Sequence, residues 1–113
     1  DLVNNLAMVR RFGEHLGALG RTPAETDDTV GAGSTDMGDI SHAVPSIHPW
    51  LAICAKGETT CHQHAFQVCA GSESGAQAML TAAKAMALTA ADLLSDASLR
   101  EAVRAEFEAR RAS

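Results

Sequence analysis

Apolar side chains near the start of the chain recur at helical intervals. In residues 2–19 they stand three or four positions apart, with polar residues around the rest of the circle; the apolar set is Leu2, Leu6, Val9, Phe12, Leu16 and Leu19. This spacing predicts an amphipathic helix with one buried face. Glycine is the residue most often found just past a helix end, so we expect the helix to stop at Gly20.

Two further helices are predicted in the last third of the chain. Ser74 and Gln77 have the spacing of a capping box for the first of them. Its apolar positions keep a helical period for about five turns: Ala76, Met79, Leu80, Ala83, Met86, Ala87, Ala90, Leu93 and Leu94. Asp96 or Ser98 can cap the second helix. Its apolar face carries Leu99, Val103 and Phe107.

The middle of the chain has the pattern of a strand. Pro45 and Pro49 exclude a long helix there, and residues 46–55 are rich in apolar, β-branched and aromatic side chains. Nearly continuous hydrophobicity in residues 50–55 predicts a strand covered on both faces. Since a single strand cannot pair with itself, its sheet neighbours must come from other polypeptide. The predicted order is helix, loop, strand, loop, helix, helix.

Composition limits how much of a core these elements can build. The chain has 113 residues, room for one domain, and 22 of them are Ala whereas only four are Phe or Trp. Small side chains bury little area each. We therefore expect the helices to pack against polypeptide outside this chain. The net charge of −5 argues against a nucleic-acid partner, because proteins that bind nucleic acids normally have a clustered basic face.

Hydropathy and cysteine usage predict a protein of the cytoplasm. No uninterrupted apolar run approaches the roughly 18 residues that a membrane span needs, so we expect no membrane partner. Three cysteines without a repeated Cys-x-x-Cys spacing do not suit a disulfide framework, and we expect reduced thiols. A small structural zinc module is a minority alternative, with ligands drawn from Cys61, His62, His64 and Cys69.

Two sequence blocks carry the candidate chemistry. The first is residues 33–42 (GSTDMGDISH) followed by residues 45–49 (PSIHP), and the second is residues 61–66 (CHQHAF). Together they resemble the C-terminal part of the catalytic domain in the zinc amidohydrolase and metallopeptidase family that includes aminoacylase, carboxypeptidase G and p-aminobenzoyl-glutamate hydrolase. The resemblance implies an α/β fold, a mixed sheet flanked by helices, of which residues 1–113 form a helix-rich portion with few strands.

The resemblance also implies a metal ligand in the second block. The family presents its last metal-binding histidine in the pattern His-x-x-x-Phe, which His62 and Phe66 match. His64 is the second choice, because a His-x-His pair on an extended segment projects both rings to one side. The family uses two zinc ions whose other ligands and general base come from earlier blocks. One histidine cannot hold a catalytic zinc, so we expect the isolated chain to be inactive.

The first block is expected to line the substrate pocket. Its glycines let the backbone approach a ligand closely. The resemblance assigns substrate contact to Ser34, Thr35 and Asp36, and we add His42 beside the proline-flanked segment. Asp36 could bind substrate or orient a ligating imidazole. The alternative for Asp36 is a simple Asx-turn or helix cap.

By this resemblance the complete protein is a hydrolase acting on the amide bond of an N-acyl amino acid or small peptide through metal-activated water. Its partners would then be that substrate and the remainder of the catalytic domain or another subunit, and family members dimerise. The alternative comes from a different class of protein. In it the chain is a non-catalytic module that packs on a partner or on another copy of itself.

Overall fold

Five helices form the fold. The computed structural model describes residues 1–22, 35–55, 58–59 and 62–113. The helices are α1 (Leu6–Ala18), α2 (Met37–Ala43), α3 (His64–Ala70), α4 (Glu73–Ser95) and α5 (Ala97–Ala112). Within these described ranges no residue is in a strand. The helix-rich part of the predicted fold is therefore present, and the mixed sheet is not shown.

Helix α1 ends where the sequence predicted and begins four residues later. At its C-terminus Gly20 has a φ of 89°, and the backbone N–H of Arg21 donates to the carbonyl of Leu16 at 2.9 Å. A left-handed glycine that closes the last turn in this way is a common helix end. The first turn starts at Leu6 because Asn5 has extended backbone angles and caps the helix.

The core lies where α1 crosses α4 and α5. One cluster of buried side chains joins Ala7 to Leu99 and Val103 of α5. A second joins Phe12 and Leu16 to Ala85 of α4. Full burial of one Phe side chain contributes about 1.5–3 kcal/mol, and Phe12 is only 3% exposed.

The buried face of α1 is rotated from the predicted one. Phe12 and Leu16 are buried as expected, but Leu6 and Val9 are exposed and Ala7 is buried instead. The rotation follows from the partners, because α5 closes over the N-terminal turn on the side of Ala7.

The N-cap of α4 lies two residues before the predicted capping residue, Ser74. This N-cap is Ser72, whose hydroxyl accepts from the N–H of Gly75 at 3.1 Å and donates to the carbonyl of Cys69 at 2.5 Å. A side chain at position 75 would collide with the carbonyl oxygens of Cys69 and Ala70. Gly75 therefore permits α3 and α4 to meet at this sharp corner.

The predicted apolar stripe of α4 is mostly exposed. The buried positions of α4 are small residues on another side of the helix: Gly75, Ala78, Ala85 and Thr89. The large side chains point away from the core: Met79, Leu80, Met86, Leu88 and Leu94 are 41–84% exposed. The small face packs because it lets the backbones of α1 and α4 approach closely, and the stripe is left without a partner within the described residues.

Hydropathy alone would allow α4 to cross a membrane. A window of 18 residues in Glu73–Ser95 has a mean hydropathy of 1.2, although only 17% of it is buried. The sequence still has no uninterrupted apolar run of this length, so the expectation of no membrane partner stays a prediction. Much of the hydropathy of α4 comes from alanine, and core helices of globular proteins pass the same test, so this is weak evidence for a span.

The final helix is as predicted. Asp96 is the N-cap of α5, and its side chain accepts from the N–H of Leu99 at 3.1 Å. Leu99 and Val103 are buried one turn apart, and the helix continues to Ala112.

The predicted strand at residues 46–55 is wrong for this structure. The segment is irregular, and Ile47 and Leu51 pack against the cluster of Phe12 and Leu16. Proline has no backbone N–H, so Pro49 lacks an amide hydrogen that a ladder in this segment would use. An extended segment needs a neighbouring strand to pair its backbone, and in the described residues this one bonds to the start of α1 instead.

The N-terminus of α1 holds these pieces together. The first helical N–H groups have no partner within the helix. Those of Leu6 and Ala7 donate to the two carboxylate oxygens of Glu106 on α5, at 2.7 and 3.0 Å. The N–H of Met8 donates to Oδ1 of Asn5 at 3.2 Å. A carboxylate here is also favoured by the helix dipole.

Asn5 makes contacts in three directions and is only 2% exposed. Besides capping α1, its Nδ2 donates to the carbonyl of Val103 at 3.0 Å, and its backbone N–H donates to the carbonyl of Ser46 at 2.8 Å. Through its side chain and its backbone, this one residue links α1, α5 and the segment that follows α2.

We expect Asn5→Ala to lower the free energy of unfolding by about 1–3 kcal/mol, because it removes a cap and leaves the buried carbonyl of Val103 without a donor. Urea denaturation followed by circular dichroism measures the change. Asn5→Ser is the matched control: it keeps a capping oxygen and should lose less. A loss below about 0.5 kcal/mol for Asn5→Ala, the level of an ordinary surface substitution, would contradict this account.

Candidate functional site

His42, one of the predicted pocket residues, lines a surface cavity. The cavity has a volume of about 190 Å³ and lies between the end of α2 and the end of α5. Its lining also includes Ser46, Phe107 and Arg110. Nε2 of His42 lies 3.0 Å from the carbonyl oxygen of Asp1, and because a carbonyl only accepts, the ring donates from Nε2.

The remaining residues of the first block lie at the other end of α2. The hydroxyl of Thr35 accepts from the N–H of Met37 at 3.3 Å. Asp36 occupies the N-cap position, but its side chain makes no capping hydrogen bond and is exposed. Ser34 lies outside the described residues. Asp36 and His42 are six residues apart on a helix, about 9 Å along its axis, so they do not share one small contact surface within α2.

The predicted metal ligand sits in an unusual backbone conformation. His62 has a φ of 69°, in the left-handed region, and it is exposed in a turn just before α3. Such a φ is uncommon outside glycine, although His is among the residues that adopt it more readily. His64 is the first residue of α3 and is also exposed. The cavity at His42 and a second, more open one between α1 and α5 include neither His62 nor Asp36.

A group of potential metal ligands lies elsewhere in the described residues. One ligand atom each from Cys54, Glu58 and Cys69 lies within 4.8 Å of the others. Burial raises the pKa of the Cys69 thiol, and a hydrogen bond with the Cys54 thiol raises it further. Of the zinc module considered from the sequence, only Cys69 is in this group: His62 and His64 are not, and Cys61 lies outside the described residues.

An ionic cluster joins α1 to the corner between α4 and α5. Arg11 donates to Asp92 at 3.0 Å and to Asp96 at 3.2 Å. Nε2 of His15 lies 2.6 Å from the same Asp92 carboxylate. The Arg11 guanidinium, followed by the His15 ring, lowers the pKa of Asp92. For Asp96 the N–H of Leu99 lowers the pKa most, and Arg11 adds to it.

Sequence reasoning missed both clusters. It assigned no role to His15 or to Arg11. Arg11 and Asp92 are 81 residues apart, so no local spacing signals their contact. Cys54 and Cys69 were visible as cysteines, but their approach depends on how α3 returns toward the middle segment.

Comparison with known proteins gives relatives that share one name. The chain is 38% identical to the Xaa-Arg dipeptidase of Mus musculus over 110 residues, which are 96% of this chain and 25% of that protein. It is 36% identical to the Xaa-Arg dipeptidase of Homo sapiens over 77 residues, 68% of this chain and 17% of that protein. These relatives support a metallopeptidase or amidohydrolase family. They do not support the particular members named from the sequence motifs.

The similarity has a limited span. The chain covers a quarter or less of the length of these curated relatives. No family model matches the chain, and no solved structure matches it.

The ionic cluster predicts acid sensitivity. A carboxylate whose pKa is lowered by folding stabilises the fold above its unfolded value of 3.8, and the contribution is lost as pH falls through the lower folded value. We expect Asp92→Asn to lower the melting temperature at pH 7 and to flatten its fall between about pH 4 and 2. Thermal unfolding at several pH values measures both, with Asp39→Asn, an exposed carboxylate on α2, as control. Identical pH profiles for wild type and Asp92→Asn would contradict the prediction.

Proposed function

We propose that this chain is the C-terminal part of the catalytic domain of a zinc-dependent peptidase, whose complete form hydrolyses the amide bond of a small peptide. The observation that carries the proposal is the match of 96% of the chain to a dipeptidase. A match of that extent leaves out only a few residues, so it includes both motif blocks, at 33–49 and 61–66. The proposed location of the complete protein is the cytoplasm.

The relatives also suggest which substrate to test. Both are named Xaa-Arg dipeptidases. A dipeptide with C-terminal arginine is therefore the first candidate for the complete protein, and N-acyl amino acids are the second. Both substrates contain one amide bond next to a free carboxylate.

His62 is the residue that we assign to the metal. A divalent ion, when bound, supplies a Lewis acid that activates water and polarises the scissile carbonyl. Imidazole is a suitable zinc donor, and the ring of His62 is exposed before α3. Its left-handed backbone supports the assignment, since strained conformations cluster at functional sites. A catalytic zinc ion takes about three protein ligands. The remaining ligands of both ions are therefore assigned to the rest of the protein.

Thr35 and Asp36 are proposed to contact the substrate, together with Ser34. Asp36 is exposed at the start of α2 and is not used to cap it, which favours a ligand-binding role over the cap considered from the sequence. His42 is the weaker member of this set. It lies at the far end of α2, where its ring already binds the carbonyl of Asp1.

The exposed stripe of α4 supports a larger catalytic domain. Leu80, Met86 and Leu94 are each more than half exposed. Contiguous exposed apolar surface marks a face that packs against something else. About three quarters of the mouse relative lies outside the part that this chain matches, and we assign the corresponding polypeptide to this face. In this arrangement α4 covers one side of a mixed sheet whose strands belong to that other polypeptide.

The same stripe keeps a second candidate function open. A chain that is a non-catalytic module would cover α4 with a second copy of itself or with a separate partner. This candidate needs no metal ligand from His62. It differs from the first in predicting that the isolated chain associates through Leu80 and its neighbours.

The metal assignment predicts that, in the complete protein, His62→Ala removes one equivalent of bound metal and lowers kcat/KM for a dipeptide by at least about a thousandfold, because an imidazole is lost from the ion. Metal analysis and steady-state kinetics measure the two effects. His64→Ala is the matched control, and it should retain metal and most activity. Full metal content and normal turnover in His62→Ala, with loss in His64→Ala, would move the assignment to His64.

The assignment of the α4 face is tested by Leu80→Glu. In the isolated chain this change should alter the free energy of unfolding by no more than about 0.5 kcal/mol, because Leu80 is 56% exposed. In the complete protein it should cost about 2 kcal/mol or more, because the charge would be buried. Denaturation curves of both forms measure the difference. An equal, small effect in both forms would contradict coverage of α4 by the catalytic domain. If the isolated chain self-associates in sedimentation and Leu80→Glu makes it monomeric, the second candidate function is favoured.

A further inference from the structure

We infer that Cys54, Glu58 and Cys69 form a zinc site that ties α3 to the segment preceding it. None of these three residues has a role in the proposed hydrolysis. The inference therefore stands or falls independently of that function.

The geometry of the three donors is close to what zinc requires. Their ligand atoms lie within 4.8 Å of one another. Two sulfurs that are each 2.3 Å from a tetrahedral zinc lie about 3.8 Å apart. The two sulfurs must therefore move closer by at most about 1 Å, and each sulfur–oxygen pair by at most about 1.3 Å, distances that side-chain rotation supplies.

Other contacts hold the donors in place. The backbone N–H of Glu58 donates to the carbonyl of Ala55 at 3.1 Å, and the N–H of Ala55 donates to Oε2 of Glu58 at 3.1 Å. These two bonds hold the carboxylate of Glu58 against Ala55, the residue that follows Cys54. Cys69 lies in the last turn of α3, and its carbonyl is fixed by the N-cap of α4, Ser72.

The donor chemistry selects zinc over the harder cations. Two thiolates and a carboxylate suit a borderline-soft ion, whereas magnesium and calcium prefer oxygen ligands alone. Both cysteines are free thiols and half-buried, so the ion must displace their protons to solvent on binding. The fourth position of the tetrahedron is then left for water.

The zinc would supply a link that packing does not. Helix α3 buries none of its residues, and Val68 in its middle is 62% exposed. It approaches α4 closely at the corner, where the carbonyl oxygens of Cys69 and Ala70 lie against Gly75. Fixing Cys69 to Cys54 and Glu58 connects α3 to the segment that packs on α1.

Metal titration of the reduced chain tests the site. We expect one cobalt ion per chain, with sulfur-to-cobalt charge-transfer absorption that added zinc abolishes. Cys54→Ser and Cys69→Ser should each remove this absorption, and Glu58→Gln should weaken binding about tenfold or more. Cys61→Ser, the third cysteine, is the matched control and should bind as the wild type does. His62→Ala should also bind normally.

Hydrogen exchange supplies an independent readout. Zinc should slow amide exchange in α3 of the wild type but not of Cys69→Ser, and leave α5 unchanged. Three outcomes would overturn the inference. In the first, the reduced wild type shows no charge-transfer absorption. In the second, Cys61→Ser or His62→Ala loses metal binding while Cys54→Ser retains it. In the third, Cys54 and Cys69 form a disulfide and the reduced chain has no affinity for the metal.

Discussion

The fold depends on how α5 closes the N-terminus of α1. A helix start leaves backbone donors without partners, and burial makes each unpaired donor costly. Here Glu106 and Asn5 take the first three of them, and Asn5 also binds the carbonyl of Val103. This contact joins residues about 100 positions apart and fixes the rotation of α1. The side of α1 that carries Ala7, Phe12 and Leu16 then becomes the buried one.

The rotation of α1 decides which surfaces of the other helices remain exposed. Helix α1 takes the small face of α4, so the large side chains of α4 point outward. Helix α3, which carries His64 and follows His62, lies beyond the core and buries nothing within the described residues. The parts of the chain nearest to the proposed chemistry are thus the least covered. This arrangement agrees with the proposal that the other catalytic groups lie in polypeptide outside this chain.

Ion pairs add to the contacts that hold α1 against α4 and α5, but they are not the main source of this packing. Arg11 reaches the carboxylates of Asp92 and Asp96 at the α4–α5 corner, and His15 shares the first of them. All of these side chains are partly exposed, so the pairs are screened and individually modest. Their value lies in geometry, since they favour one relative position of α1 and the corner. At the opposite end of the fold, the thiols of Cys54 and Cys69 occupy the place where α3 has few other contacts.

The sequence by itself determined the three long helices and the end of α1 at Gly20, and it narrowed the cap of α5 to Asp96 or Ser98, because each depends on residues within a few positions. It also pointed to the broad enzyme family through His62, Asp36 and their blocks. Only the tertiary structure decided that Ser72 rather than Ser74 caps α4, that residues 46–55 form no strand, and which face of α4 is buried. The reason is physical: periodicity shows that a helix has an apolar face, but which face is covered depends on partners distant in the chain or outside it.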